Sequence, residues 1–297
     1  MAKGPRSTDV SFDQIKYALF DIDNTLVDNE SPAVPSDRFC QAVAAAQERH
    51  ILVGIASARP LQKVQHVIDH TGLKGISILS NGAQIYDPAT AQMLSELSVD
   101  PQATAEILAE MRAQNITHWV QDDGEDCFWV DADQQADTYQ KSSDPWTMPT
   151  SETAIILERY QPRKPLVIVA REVGAQTLKN LRVLSQSYAD RHVALLPAHE
   201  RTNQQGDPVF DVFFLHTDAN KRDALPLACQ AANVTLEQTM MTGDGLNDIA
   251  ILEQTGIAVA VANAHPEAKT TATHLTASYD QDGAAIALET IVHAQTQ

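Results

Sequence analysis

The sequence predicts an α/β fold: a Rossmann-like parallel-sheet core interrupted by an inserted α+β domain. Three observations carry that expectation. Short apolar runs at residues 16–20, 51–56 and 76–79 each give way to polar residues, as buried strands do. Segments with helical spacing separate these runs, and strand–helix alternation of this kind implies a parallel sheet covered on both faces. The alternation stops near Tyr86 and resumes near residue 219.

Taken in order, residues 1–14 read as a flexible N-terminal tail. KYALF at 16–20 is the first buried strand. Ser36 is placed to cap a helix whose inner face carries Phe39, Ala42, Val43 and Ala46. ILVGIA at 51–56 is the second strand. Pro60 suits the first turn of a helix through His70, and Gly72 suits its end. ISIL at 76–79 is the third strand.

Beyond Tyr86 the pattern changes. Residues 101–114 look helical, and 117–122 with 127–130 look like a hairpin about Asp123–Gly124. The polar stretch 131–153, with Pro145, Trp146 and Pro149, reads as a long loop. Strands at 166–170, 193–196 and 209–215, with a helix near 173–188, complete the module. A helix, a strand at 239–242, a helix at 248–255 closed by Gly256 and a strand at 257–261 then restore the parallel pattern. Pro226 conflicts with the helix after Lys221: the helix either starts near Asp223, placing Pro226 in its first turn, or is kinked. The resulting boundaries are 15–85 with 214–297 for the core and 86–213 for the insertion.

Composition narrows the function. Lys and Arg number 21 against 39 for Asp and Glu, a formal charge of -18. Such a surface repels nucleic acid and anionic lipid, and no basic run offsets it. A phosphorylated substrate would need local positive charge. Cys40, Cys127 and Cys229 are odd in number and widely spaced, which argues against a disulfide framework or a zinc site. The polar N-terminus lacks the apolar core of a signal peptide, and no apolar run is long enough to span a bilayer, so a cytoplasmic location is expected.

Two acid clusters carry the chemistry. Asp21-Ile22-Asp23-Asn24-Thr25 directly follows the first strand, and ligands of open α/β sheets bind at the carboxyl ends of strands. A lone pair of acids there is more often a solvated turn. The second cluster, Thr242-Gly243-Asp244-Gly245-Leu246-Asn247-Asp248, also follows an apolar strand. Asp244 can supply another carboxylate to a shared cation, while Asp248 can bind it through water or orient Asp244. Magnesium favours such oxygen ligands. An EF-hand reading fails, because Leu26 stands where the loop needs Gly and Pro32 where it needs Glu. Ser57, before a helix start, and Lys221, in a polar loop or helix start, are phosphate-binding candidates.

DIDNT, Ser57, Lys221 and GDGLND, in this order, resemble the haloacid dehalogenase superfamily. More narrowly the chain resembles the Cof-type, subfamily IIB phosphatases, whose C2-type cap is inserted after the third strand. Asn81-Gly82-Ala83 is similar to that group's cap entry, GIAVAVANA at 256–264 to its stretch after the acid motif, and Asp282-Gly283 to its late DG. The resemblance implies a nucleophile at Asp21 and an acid–base at Asp23. It implies magnesium held by Asp21, Asp244 and the Asp23 carbonyl, with Asp248 as a further metal residue. Ser57, Lys221, Asn247, Asn81 and Gly82 are implied in phosphate or substrate binding. A small phosphorylated metabolite, such as a sugar phosphate, is the implied substrate, chosen by the cap. A phosphomutase and a non-catalytic phosphometabolite binder are the alternatives. Two positions depart from the family: Asn24 replaces a usual Gly, and Ser57-Ala58-Arg59 replaces Thr-Gly-Arg.

Smaller features are read as structural. His66 and His70 have metal-ligand spacing but lack the zinc-protease Glu, and Trp119, Trp129 and Trp146 have no basic groove beside them.

Overall fold

The computed structural model describes residues 10–28, 34–114, 116, 118–122, 125–129, 154–156, 164–203 and 206–296. The chain divides into two compact units: residues up to Glu96 together with Asn220–Gln297, and Leu97–Ala219.

The first unit contains β1 (Tyr17–Phe20), α1 (Asp37–Glu48), β2 (Leu52–Ile55), α2 (Leu61–Thr71), β3 (Ser77–Leu79), β4 (Gln84–Asp87) and β5 (Gln92–Glu96). The second contains α3 (Pro101–Ala113), β6 (His118–Asp122), β7 (Glu125–Trp129), β8 (Ala154–Ile156), β9 (Pro165–Gly174), α4 (Ala175–Gln186), β10 (Val193–Thr202) and β11 (Pro208–His216). The chain returns to the first unit with α5 (Lys221–Ala232), β12 (Thr239–Gly243), α6 (Ile249–Leu252), β13 (Ile257–Ala260), α7 (Pro266–Thr271), β14 (His274–Leu275) and α8 (Gly283–Ala294).

In the first unit five parallel strands run in the order β14-β13-β12-β1-β2. All four residues of β1 are buried. Ala18 and Phe20 join an apolar cluster with α1, α2 and α8, whereas Tyr17 and Leu19 join one with α5, α6 and α7. A strand sandwiched in this way has no polar face, which is why it appears in sequence as an unbroken apolar run. Ser36 caps α1 by accepting from Phe39 N at 3.2 Å, and its four expected inner residues are buried. Gly72 ends α2 in the left-handed region.

β3 departs from a simple parallel continuation. It meets β2 at an isolated parallel bridge, Ala56 to Ile78, and then leads an antiparallel sheet, β3-β4-β5. The change of character after Tyr86 is therefore this hairpin, and the first unit extends to Glu96. Residues 10–14 also differ from a loose tail: Phe12–Gln14 form a 3₁₀ turn, and Val10 and Phe12 pack against the core.

Pro226 lies within α5, which starts at Lys221 under an Asn220 cap. Proline removes the donor that the Arg222 carbonyl would receive. The Gln254 amide, in the orientation that satisfies both its atoms, donates to that carbonyl at 2.8 Å.

The second unit is a six-stranded sheet, β10-β11-β9-β6-β7-β8, in which β7 and β8 are parallel and the other pairs antiparallel. Its core gathers Ile107, Leu108 and Met111 of α3 and Leu178 and Leu181 of α4 against Val120, Ile168, Val212 and Phe214. The expected loop at 131–153, with Trp146, lies outside the described residues.

Candidate active site

Register builds the site. β1 and β12 are adjacent, with Phe20 opposite Thr242, so the acids that follow each strand emerge side by side. The Asp21 amide donates to the Thr242 carbonyl at 2.9 Å, which continues the ladder one residue further. Asp21 is 5% exposed.

Lys221, the first residue of α5, is buried at the centre of the acids. Its Nζ donates to Asp21 Oδ1 at 2.8 Å and to Asp248 Oδ1 at 2.6 Å. The other Asp248 oxygen accepts from the backbone N–H groups of Asp244 and Gly245 at 3.2 and 3.0 Å. Asp248 thus fixes both the loop that carries Asp244 and the ammonium that faces Asp21. Gly243 leaves room for this carboxylate: a Cβ there would lie 2.6 Å from Asp248 Oδ2. The Thr25 hydroxyl donates to Asp244 Oδ1 at 3.4 Å.

Charge does not balance in this cluster. Burial pushes Asp21 well above the usual carboxylate range; Lys221 opposes the rise, while Asp248, Asp244 and Asp23 add to it. Burial, reinforced by Asp248, lifts Asp244 to about 7. For Lys221 burial alone would lower the pKa, but Asp21 and Asp248 outweigh it and hold the ammonium charged. Three carboxylates around one ammonium must retain a proton or take up a cation. Asp21, Asp244 and Asp248 each offer an oxygen within 4.8 Å of the others. An all-oxygen, over-charged donor set of this kind fits a hard divalent cation.

The remaining predicted residues lie around this centre. The Asp23 carboxylate is held bidentately by Arg59, with Nε at 2.9 Å from Oδ2 and Nη2 on Oδ1. Ser57 is fully buried, and its hydroxyl accepts from Arg59 N at 3.2 Å. Asn81 N donates to the Ser57 carbonyl at 3.0 Å, and Asn81 occupies the left-handed region at φ 54°. Gly82, at φ 100°, packs on the backbone of Asn220, where a Cβ would approach the carbonyl to 2.3 Å. Its visible role is to let the start of α5 sit close. Asn247 is exposed on the turn Leu246–Asp248. Asn24 takes φ 54°, and its carbonyl accepts from Asn263 Nδ2 at 2.8 Å.

Residues 18–288 match the model of the haloacid dehalogenase-like hydrolase family. The chain belongs to that family. Among relatives, the 5-amino-6-(5-phospho-D-ribitylamino)uracil phosphatase YcsE of Bacillus subtilis (strain 168) is 24% identical over 274 residues, covering 92% of this chain and 94% of that protein. A haloacid dehalogenase-like hydrolase from Bacteroides thetaiotaomicron shares the fold with a TM-score of 0.75 and 20% identity, over 93% of this chain and 99% of that one. The subclass IIB sugar phosphatase BT4131 superposes with a TM-score of 0.71 and 19% identity, over 92% and 98%. The chain is accordingly an enzyme of the phosphatase type, and its acid cluster suits the divalent metal that such enzymes generally use. Among the described residues, no helix is long and apolar enough to cross a membrane.

In this haloacid dehalogenase-like hydrolase, sequence reasoning gave no role to Arg59 or Thr25. Arg59 stands in the sequence only as the Arg retained from the family's Thr-Gly-Arg, and its ion pair spans 36 residues of sequence. His66 and His70 stay on the surface of α2, where His70 Nε2 meets the Pro35 carbonyl at 3.0 Å.

Proposed function

We propose that the protein is a magnesium-dependent phosphomonoester hydrolase of small phosphorylated metabolites, with Asp21 as its nucleophile. The observation that carries this reading is the buried Lys221 bridge between Asp21 and Asp248 at a strand-end acid cluster. An ammonium there opposes the effect of burial and favours the ionised form of Asp21, and it offers positive charge to a phosphoryl group inside a strongly acidic protein.

In the proposed reaction an Asp21 oxygen attacks phosphorus and the ester P–O bond breaks, leaving an aspartyl-phosphate. Asp23 gives its proton to the departing oxygen, then takes one from the water that attacks phosphorus in the second step. Phosphate leaves and the Asp21 carboxylate is restored. Asp23 must loosen from Arg59 to carry a proton, so Arg59 holds the carboxylate in place between turnovers. Asp21 and Asp244, with Asp248 and the Asp23 carbonyl, would hold magnesium, whose charge when bound offsets that of substrate and nucleophile. Ser57, Lys221 and Asn247 are assigned to the phosphoryl group, with Asn81 and Gly82 shaping the approach.

Sugar or polyol phosphates are the proposed substrate class. YcsE acts on a phosphorylated ribityl compound and BT4131 is a sugar phosphatase, and both align along more than nine-tenths of this chain. Substrate choice is assigned to the unit Leu97–Ala219, which ends two residues before Lys221.

The test is phosphate release from a panel of sugar phosphates, polyol phosphates and nucleotides, with magnesium, with chelator and with Asp21→Asn. Release from at least one sugar or polyol phosphate, lost in both controls, is expected. Undiminished release by Asp21→Asn would overturn the assignment, and an isomerised sugar phosphate in place of free phosphate would make the enzyme a mutase.

A further inference from the structure

The unit Leu97–Ala219 carries a second group of metal-competent side chains, chemically unlike the acid cluster. His192, His216 and Asp218 each present a ligand atom within 4.8 Å of the others. Two imidazoles and one carboxylate form a nitrogen-rich set that suits zinc and its neighbours in the transition series, whereas magnesium prefers oxygen alone.

The backbone holds these three residues in one place. His192 precedes β10 in the left-handed region, with φ 56° and ψ 39°. His216 ends β11, directly opposite Val193 in the antiparallel ladder. Thr217 N donates to the His192 carbonyl at 2.8 Å, and Ala219 N to the His216 carbonyl at 2.8 Å. The first bond ties the two strand ends together, and the second closes a turn that presents Asp218. The imidazole rings stack at 5.3 Å with an interplanar angle of 16°.

We propose that His192, His216 and Asp218 form a binding site for a divalent transition ion of the zinc class, with water completing the coordination. Zinc bonds of about 2.0–2.1 Å in tetrahedral geometry place neighbouring ligand atoms about 3.3 Å apart. His216 Nδ1 already lies 3.8 Å from Asp218 Oδ2. His192 is exposed and the Asp218 side chain is 71% exposed, so both side chains have room to turn toward an ion. The ion displaces the 3.2 Å contact from Asp218 N to His216 Nδ1 and brings in the carboxylate of the same residue. It thereby staples the start of β10 to the end of β11. The assignment is independent of the phosphatase reading.

Zinc titration of the chelator-stripped protein by calorimetry, in saturating magnesium to occupy the acid cluster, tests the site. One zinc per chain is expected. Its affinity should fall at least tenfold in His192→Ala and in Asp218→Asn, and be retained in Asp244→Asn. Cobalt should give a visible absorption band that the first two variants lose, with circular dichroism verifying that they are folded. The proposal is overturned if the wild-type protein takes up no zinc in magnesium. It is equally overturned if both surface variants bind zinc as the wild type does, or if Asp244→Asn abolishes the binding.

Discussion

Lys221→Met isolates the charge balance on which the site depends. Methionine keeps most of the side-chain volume and removes only the ammonium. At 2.8 Å from Asp21 and 2.6 Å from Asp248, each ion pair is worth about 6 kcal/mol of Coulomb attraction at an effective dielectric constant of about 20. Desolvation of the buried groups cancels much of that, and loss of one partner from a buried pair costs about 3–5 kcal/mol net. For a unit of this size the melting transition should fall by about 10 °C. The pH dependence has a definite sign. Raised Lys221 stabilises the wild type at every pH below the ordinary lysine value and is lost only above it. Raised Asp21 and Asp244 act oppositely: their cost grows as pH climbs from the ordinary carboxylate value through the raised one. The Lys221→Met defect should therefore be large at pH 8, shrink toward pH 5, and be partly recovered by magnesium. Calorimetric scans of both proteins across this range, with and without magnesium, measure it. A pH-independent loss, or one below about 1 kcal/mol at pH 8 without metal, would refute the reasoning.

Three further outcomes are expected. Metal binding should release protons and weaken as pH falls below the Asp244 value of about 7, which calorimetry in two buffers of different ionisation heat will show. Gly82→Ala combines positive φ with a clash on the Asn220 carbonyl, so it should cost more than about 2 kcal/mol and reduce phosphate release, whereas Gly72→Ala, with nothing within 4 Å, should cost about 1 kcal/mol and leave release unchanged. Asn24→Gly should match the wild type in urea denaturation within about 0.5 kcal/mol, and Asn24→Ala should lose about 1 kcal/mol, because Asn24 occupies the left-handed region.

Features governed by neighbours along the chain were legible in the sequence. The apolar runs of β1, β2 and β12, the Ser36 cap and the left-handed end at Gly72 all follow from local chemistry, and the acids sit at strand ends as expected. What depends on pairing across the fold was hidden. The Arg59 clamp on Asp23, the close packing of Gly82 on Asn220 and the double use of Asp248 join residues that no periodicity connects. The switch of β3 to antiparallel partners was hidden for another reason: a buried strand looks the same in sequence whichever way its neighbour runs. The Pro226 conflict resolved through Gln254, a side chain 28 residues further on, so inspection of α5 alone could not settle it.

The central claim is that Asp21 forms a covalent bond to phosphorus. Its most direct test is acid quenching of the enzyme during turnover of its preferred phosphate ester, followed by peptide mass spectrometry. A phosphoryl group on the Asp21 peptide, absent in Asp21→Asn and without substrate, is the expected result. Rapid turnover with no phosphorylated peptide at any quench time, or phosphorylation on another residue, would contradict it.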